Sequence, residues 1–350
     1  MKTTIVIPNY NGISYLRECV RSLREDLKNH PAAVIIVDNG SGDGSVEWIK
    51  QECPDITLIP LKKNTGFPHA VNVGIRHAKT PFVLLLNNDT VVHPGFTKAL
   101  EEAISRHKDA FSVSAKMLSM KEEGIMDNAG DLYCALGWAF ARGKDRPAED
   151  YNKPCEIFSA CGGAAIYRKS VFEKIGYFDD SHFAYLEDVD IGWRAKIYGY
   201  RNFYEPKAEV LHAGSAASGS RYNAFKVSLS SANSVAIIGK NMPLLQIIVN
   251  LPFLLPGFLV KFLFFVRKGY GKIYAAGCLK GFMRGFPDAG ILLSGERMPF
   301  SSPRFLWSVL LSVFSKISAM VAFHHFLLGN ISRILHRHPI PWNALHGIFS

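Results

Sequence analysis

Phe82-Val83-Leu84-Leu85-Leu86-Asn87-Asn88-Asp89 is a run of five apolar residues closed by two amides and a carboxylate. So apolar a run reads as a strand buried on both faces, and a turn alone does not demand an acid at its mouth. Asp89 is therefore a candidate functional residue. Working outward, the same succession occurs three times upstream. The apolar run 5–7 stops at Pro8-Asn9-Tyr10-Asn11-Gly12, after which Leu16, Cys19, Val20, Leu23 and Leu27 recur at helical spacing behind Ser14 as the expected N-cap. The run 34–37 leads into Asp38-Asn39-Gly40-Ser41-Gly42-Asp43-Gly44 and a short helix over 45–53. The run 56–59 leads into Asn64-Thr65-Gly66-Phe67 and a helix to His77, and a helix over 94–106 follows Asp89. Four successive β-then-α units predict a parallel sheet, whose ligands meet the carboxyl ends of the strands. Those ends carry Asn9, Asn11, Asp38, Asn64, Asn88 and Asp89.

With 48% hydrophobic and 20% charged residues, the 350-residue chain is expected to fold as a globular protein of more than one unit. Its net charge of +10 is unevenly placed. Residues 1–239 hold 28 side chains of each sign, whereas 240–350 hold twelve Lys and Arg against Asp288 and Glu296 alone. Those cations alternate with long aliphatic runs, which argues against nucleic acid. Six scattered cysteines without a Cys-x-x-Cys pair predict neither a disulfide framework nor a zinc site. Together with an opening apolar run too short for a signal peptide, they lead us to expect a cytoplasmic protein. A dinucleotide fold is excluded by detail: Gly40-x-Gly42 follows the second strand, and Ser45 stands where a third glycine is required.

Six segments in this order and spacing resemble the family 2 glycosyltransferases. They are 4–12, 37–45, Asn64-Thr65-Gly66-Phe67 with Asn72-Val73-Gly74, 85–89, Gly176-Tyr177-Phe178-Asp179, and Glu187-Asp188-Val189-Asp190 with Trp193-Arg194. The resemblance is to the branch that includes bacterial rhamnosyltransferases. It implies an α/β, GT-A nucleotide-diphospho-sugar transferase fold, Rossmann-like with a mostly parallel sheet, over residues 1–225. It also implies inverting transfer from a UDP- or dTDP-linked sugar, rhamnose among the candidates, to a glycan or lipid-linked hydroxyl in cell-surface polysaccharide synthesis. A donor-binding subunit without turnover and a nucleotidyltransferase are the alternatives.

Carried over residue by residue, Asp38 binds base and ribose, with Pro8, Asn9 and Tyr10 and the Asn64–Gly66 turn completing the pocket. Asn88 and Asp89 approach the diphosphate and a divalent metal, Mg²⁺ or Mn²⁺, that His212 also ligates. Gly162 and Gly163 lie beside the donor sugar. Asp188 is the catalytic base, and Glu187 and Trp193 contact the acceptor. From their own spacing, Asp190 and Arg194 form an i,i+4 pair on a helix that Glu187 and Asp188 start. Within the less readable stretch 107–155, Lys121-Glu122-Glu123-Gly124 and the charged run 142–153 read as solvated loops.

The C-terminal region 226–350 is expected to be helical, basic and apolar. The run 244–266 holds one charge, Lys261, and is interrupted by Asn250, Pro252, Pro256 and Gly257; a second run covers 305–328. Apolar faces with a cationic rim predict peripheral association with the inner face of the cell membrane.

Overall fold

The computed structural model describes residues 1–214 and 222–286. The chain forms two compact units, one comprising Met1–Tyr133 with Ala139–Leu229 and the other Cys134–Trp138 with the chain from Ser230 onward. The 305–328 run lies outside the described residues.

The first unit opens with β1 (Thr3–Asn9), α1 (Ile13–Leu27), β2 (Ala33–Asp38), α2 (Ser45–Glu52), β3 (Thr57–Pro60), α3 (Phe67–His77) and β4 (Phe82–Leu86). It continues through β5 (Thr90–Val92), α4 (Phe96–Arg106), β6 (Ala110–Ser119), β7 (Met126–Asn128), β8 (Asp131–Tyr133), β9 (Ala139–Ala141), β10 (Cys155–Ile157), β11 (Ala164–Arg168), α5 (Lys169–Ile175), α6 (Glu187–Ile197) and β12 (Arg201–His212). The main sheet has the order β10-β12-β6-β11-β4-β1-β2-β3. From β3 to β4 it is parallel, as the repeating units predict.

Beyond β4 the sheet takes in antiparallel strands. β11 runs antiparallel to both β4 and β6, so the sheet is mixed. This reversal places the start of β11 against the end of β4, with Ala164 opposite Leu86, and so brings Gly162 and Gly163 to the carboxyl edge. β6 and β12 run parallel to each other and end there too. Within 107–155, where the sequence carries no clear signal before Lys121, β6 is a central strand buried from Ala110 to Met117.

Alternation along the strands divides the core into two layers. Ile5, Ile7, Leu84 and Leu86 meet Leu16, Leu23, Ile49, Phe96 and Leu100 on one face. Val6, Val83 and Leu85 meet Val71, Ile75, Phe172 and Ile191 on the other. Each such side chain contributes about 1.5–3 kcal/mol by leaving water.

Two helix starts show how loops are fixed. Ser14 is not the cap of α1; Gly12 stands there, and the carboxylate of Asp43 accepts from the N–H of Ile13 at 2.9 Å. Asp26 likewise accepts from Gly95 and Thr97 at 2.7 and 3.0 Å, which caps α4. Both caps come from distant sequence, so spacing cannot reveal them.

α7 (Ala224–Asn241) crosses from the first unit into the second, where α8 (Leu244–Arg267) and α9 (Gly271–Gly285) follow. α8 is continuous through Pro252 and Pro256, a correction to their reading as interruptions: each proline forfeits one backbone bond, and 24 residues keep the rest. α9 packs on α7 through glycine, since a Cβ on Gly281 would lie 2.1 Å from the Ala232 carbonyl.

Candidate active site

The carboxyl edge carries three groups of polar side chains. The first surrounds the ends of β1 and β2. Pro8 and Asn9 pair with Val37 and Asp38, and Tyr10 is exposed. Asp38 is fully buried and accepts from Asn9 Nδ2 at 2.8 Å and from the Ser41 N–H at 2.9 Å. Asn39, whose side chain sequence reading assigns no role, ties this turn to the next. Its Oδ1 accepts from the Thr65 N–H, and its Nδ2 donates to Asn64 Oδ1 and the Gly66 carbonyl. Gly66 has φ +87, and a Cβ there would sit 2.5 Å from the Phe183 carbonyl. Only glycine fits that crossing.

The second group follows β4. Asn88 Nδ2 donates to Asn9 Oδ1 at 2.7 Å, which links the two groups through Asn9 to Asp38. Asp89 is buried, and β5 pairs with β12 so that Thr90 lies opposite His212. His212 Nε2 is 3.3 Å from Asp89 Oδ1, and its Nδ1 is 2.7 Å from Asp127 Oδ2. Lys144 pairs with the other oxygen of Asp127. Burial works against charge on His212, but the hydrogen bonds to Asp127 and Asp89 prevail and raise it to about 9. Burial also opposes ionisation of Asp127, and His212 and Lys144 outweigh it, holding its carboxyl below the ordinary value.

Among the described residues no three His, Cys, Asp or Glu side chains gather in metal-binding geometry. The donor set of Asp89 and His212 nevertheless fits a hard divalent cation. Such ions commonly take only one or two protein ligands and complete their shell with substrate phosphates and water. Asp127 is spoken for by His212 and Lys144, so it is no further ligand.

The third group contains the acid pair. Asp188 accepts from the Gly162 N–H at 3.2 Å and the Val189 N–H at 2.8 Å. Asn87 N–H donates to the Gly163 carbonyl at 2.8 Å, which ties this group to the end of β4. Glu187 is buried, and its Oε2 has no hydrogen-bond partner among the described residues. Asp131, absent from the sequence reading, is buried nearby and accepts from Asn128 Nδ2 at 2.9 Å.

Burial raises all three carboxyls, and the charge of Asp188 pushes Glu187 and Asp131 further up. The rise is smaller at Asp188, where the Gly162 and Val189 N–H groups oppose it, than at Glu187 or at Asp131, where Asn128 and Ser159 do. Of the three, it ionises most readily. The backbone before it is held in an unusual form, with φ +60 at Phe183, +70 at Tyr185 and +66 at Leu186.

Two other motif residues, Asp190 and Arg194, form a buried pair. Asp190 is fully buried against Arg194, with Nη2 to Oδ2 at 2.9 Å, while Arg194 also donates to the Ile175 and Tyr177 carbonyls. Trp193 is half-buried between Tyr133 and Phe158, with ring centroids 4.7 and 5.5 Å away. A cavity of about 450 Å³ lined by Leu23, Ala33 and Ile56 lies at the amino end of β2 and shares no residue with these groups.

A model of the family described as Glycosyl transferase family 2 matches residues 4–176. The N-acetylglucosaminyl-diphospho-decaprenol L-rhamnosyltransferase of Mycobacterium tuberculosis is 30% identical over 233 residues, covering 59% of this chain and 75% of the relative. The chain belongs to glycosyltransferase family 2. A second relative of this transferase, the poly-beta-1,6-N-acetyl-D-glucosamine synthase of Staphylococcus aureus, is 26% identical over 219 residues. There the match covers 59% of this chain and only 51% of the synthase.

Among solved structures, GalNAc-T7 with UDP, GalNAc and Mn²⁺ aligns with a TM-score of 0.55 at 16% identity, over 68% of this chain and 47% of that one. A mannosyltransferase from Pyrobaculum calidifontis, in complex with GDP-Man and Mn²⁺, gives 0.50 at 17%, over 91% and 86%. The transferase thus has the GT-A fold that its motifs imply.

Proposed function

We propose that this enzyme transfers a sugar, with inversion, from a nucleotide-diphospho-sugar to a hydroxyl of a glycan or lipid-linked acceptor during assembly of a cell-surface polysaccharide. One observation carries the reading: Asp188, the carboxyl of its trio that ionises most readily, shares a sheet edge with Asp89, His212 and the Asn9–Asp38 turn. The acceptor oxygen attacks the anomeric carbon opposite the leaving group, and Asp188 takes its proton as the new carbon–oxygen bond forms. The electron pair of the breaking bond departs with the nucleoside diphosphate. A divalent cation held by Asp89 and His212 would stabilise that charge. Asp38, Asn9, Asn64 and Gly66 shape the nucleotide pocket with Pro8 and Tyr10, Asn88 lies at the diphosphate, and Gly162 and Gly163 let the donor sugar approach backbone. Glu187, its carboxyl raised well above the ordinary value by burial, contacts the acceptor, and Trp193 borders the same side.

The 30% identity to an N-acetylglucosaminyl-diphospho-decaprenol L-rhamnosyltransferase supports rhamnose as a candidate sugar and a lipid-linked acceptor, and the donor is read from the family motifs as UDP- or dTDP-linked. In this reading residues 1–225 form the catalytic domain and 226–350 a membrane-associating region on the cytoplasmic face. α8 supports the second part. Among the described residues it is the one helix long and apolar enough to cross a membrane, and it is mostly exposed. Its Lys261 lies over the Trp138 ring at 5.3 Å, which leaves Leu245, Val249, Leu255, Leu259 and Leu263 outward.

The test is a thermal-shift panel of nucleotide sugars with Mn²⁺, followed by product analysis with an acceptor. A donor at 100 times its Kd should stabilise the fold by about 2.7 kcal/mol. Absence of any shift across UDP, dTDP and GDP sugars would overturn the donor reading, and a product with retained anomeric configuration would overturn the role of Asp188.

A further inference from the structure

β7 and β12 pair with the same end of β6, β7 through Met117 and Leu118 and β12 through Lys116 to Ser119. This topology brings Asp127 and His212, 85 residues apart, into a 2.7 Å hydrogen bond. Both side chains are nearly buried, at 11% and 15% exposure, so the bond is shielded from water. Because Asp127 is an acceptor, His212 must carry a hydrogen on Nδ1, and its Nε2 then turns toward Asp89 Oδ1 at 3.3 Å. Lys144 closes the chain on the far side of Asp127 and keeps the buried carboxylate from standing unpaired.

We propose that Asp127, backed by Lys144, is a positioning residue that fixes the tautomer and ring orientation of His212, so that Nε2 and the Asp89 carboxylate together form the protein's half of a divalent-cation site. The inference rests on the metal role given above to Asp89 and His212 and adds the group that makes it work. An imidazole that donates its other N–H to a carboxylate is both oriented and made a better ligand, and loss of such a partner typically weakens metal binding about 10- to 100-fold. Direct ligation by Asp127 is disfavoured because both its oxygens are already engaged.

The experiment measures Mn²⁺ alone binding to the full chain by electron paramagnetic resonance of the free ion, with ¹⁵N spectra of the histidine rings as a second readout. Wild type should bind Mn²⁺, Asp89→Ala should not, and Asp127→Ala should bind about 10- to 100-fold more weakly. In the metal-free protein above about pH 9, where the ring is neutral, Asp127→Ala should also shift His212 away from its Nδ1-protonated tautomer. Should Asp127→Ala fail to fold, Asp127→Asn takes its place; the amide still accepts from Nδ1 but lacks the charge, and a loss of about tenfold, the low end of the usual range, is expected. A folded variant with Mn²⁺ affinity within twofold of wild type overturns the proposal, even if its melting temperature falls. Wild type that binds no more Mn²⁺ than Asp89→Ala overturns the metal reading itself, and the role of Asp127 with it.

Discussion

Asn88 Nδ2 donates to Asn9 Oδ1 at 2.7 Å, while Asn9 Nδ2 donates to Asp38 at 2.8 Å. The direction of this relay explains why an amide stands at the second position of Asn87-Asn88-Asp89. Asn9 must present its Nδ2 to Asp38, so its oxygen faces Asn88 and requires a donor there. Gly12 completes the fit, since a Cβ on it would lie 2.2 Å from Asn88 Nδ2.

Asn88→Asp should therefore destabilise the protein although it adds a carboxylate beside Asp89. A carboxylate opposite Asn9 Oδ1 leaves two acceptors facing each other, or forces Asn9 to turn and abandon Asp38. The expected loss is about 1–3 kcal/mol, the penalty of unmet buried polar groups. Thermal melts at neutral pH measure it, and an unchanged melting temperature would refute the relay.

Asp188→Asn should lower transfer about 10²- to 10⁴-fold and leave donor affinity near wild type, because the amide keeps the shape but cannot accept the acceptor's proton. With Asp188 as the proposed base, wild-type activity should require its ionised form. Burial raises its carboxyl above the ordinary value despite the Gly162 and Val189 N–H groups. The acid limb of kcat/KM should thus lie above about 3.9, with activity falling as pH falls through it. Transfer by the variant within threefold of wild type would remove Asp188 from the mechanism.

How far the sequence reveals these relations depends on where the partners sit. β1 to β4 are legible because each strand is an unbroken apolar run ended by Asn, Asp or Gly. β6 is not, since Ser112, Ser114 and Lys116 interrupt it, and Lys116 is buried only because Glu209 and Asn152 meet its ammonium at 2.9 and 2.7 Å. Asp89, Asp188 and His212 are marked by motifs, and the fold places them along one edge. Asp127 and Asp131 carry no local mark. Their meaning arises from pairings with His212 and Asn128 made by β7 and β8, within a stretch whose charges suggest solvent.

Glu187→Gln should stabilise the protein in alkaline solution. Burial, and next the charge of Asp188, raise the folded-state carboxyl of Glu187 well above its ordinary value. Below the unfolded value both states hold the proton and the substitution changes little; above it, the folded wild type is strained toward keeping a proton that solvent removes. The gain from Gln should grow between pH 4 and pH 8, visible as roughly 2–4 °C in Tm for each kcal/mol. Equal Tm differences at both ends would contradict a buried, proton-retaining Glu187.

The outward face of α8 gives the last prediction. Leu255 and Leu259 are 66% and 55% exposed, one turn apart, on a helix whose single internal Lys is covered by Trp138. Residues 240–350 add twelve cationic side chains against two acidic ones, and anionic lipid attracts a surface Lys or Arg by about 1 kcal/mol each. The full chain should float with anionic vesicles and less with neutral ones. Leu255→Glu with Leu259→Glu should reduce flotation several-fold without loss of fold, because two carboxylates would have to enter the headgroup region. Alkaline carbonate separates the two modes of contact: a helix lying in the interface is stripped, whereas one that spans is retained. Flotation of the double variant equal to that of the wild type would remove α8 from membrane contact and leave it to pack on protein.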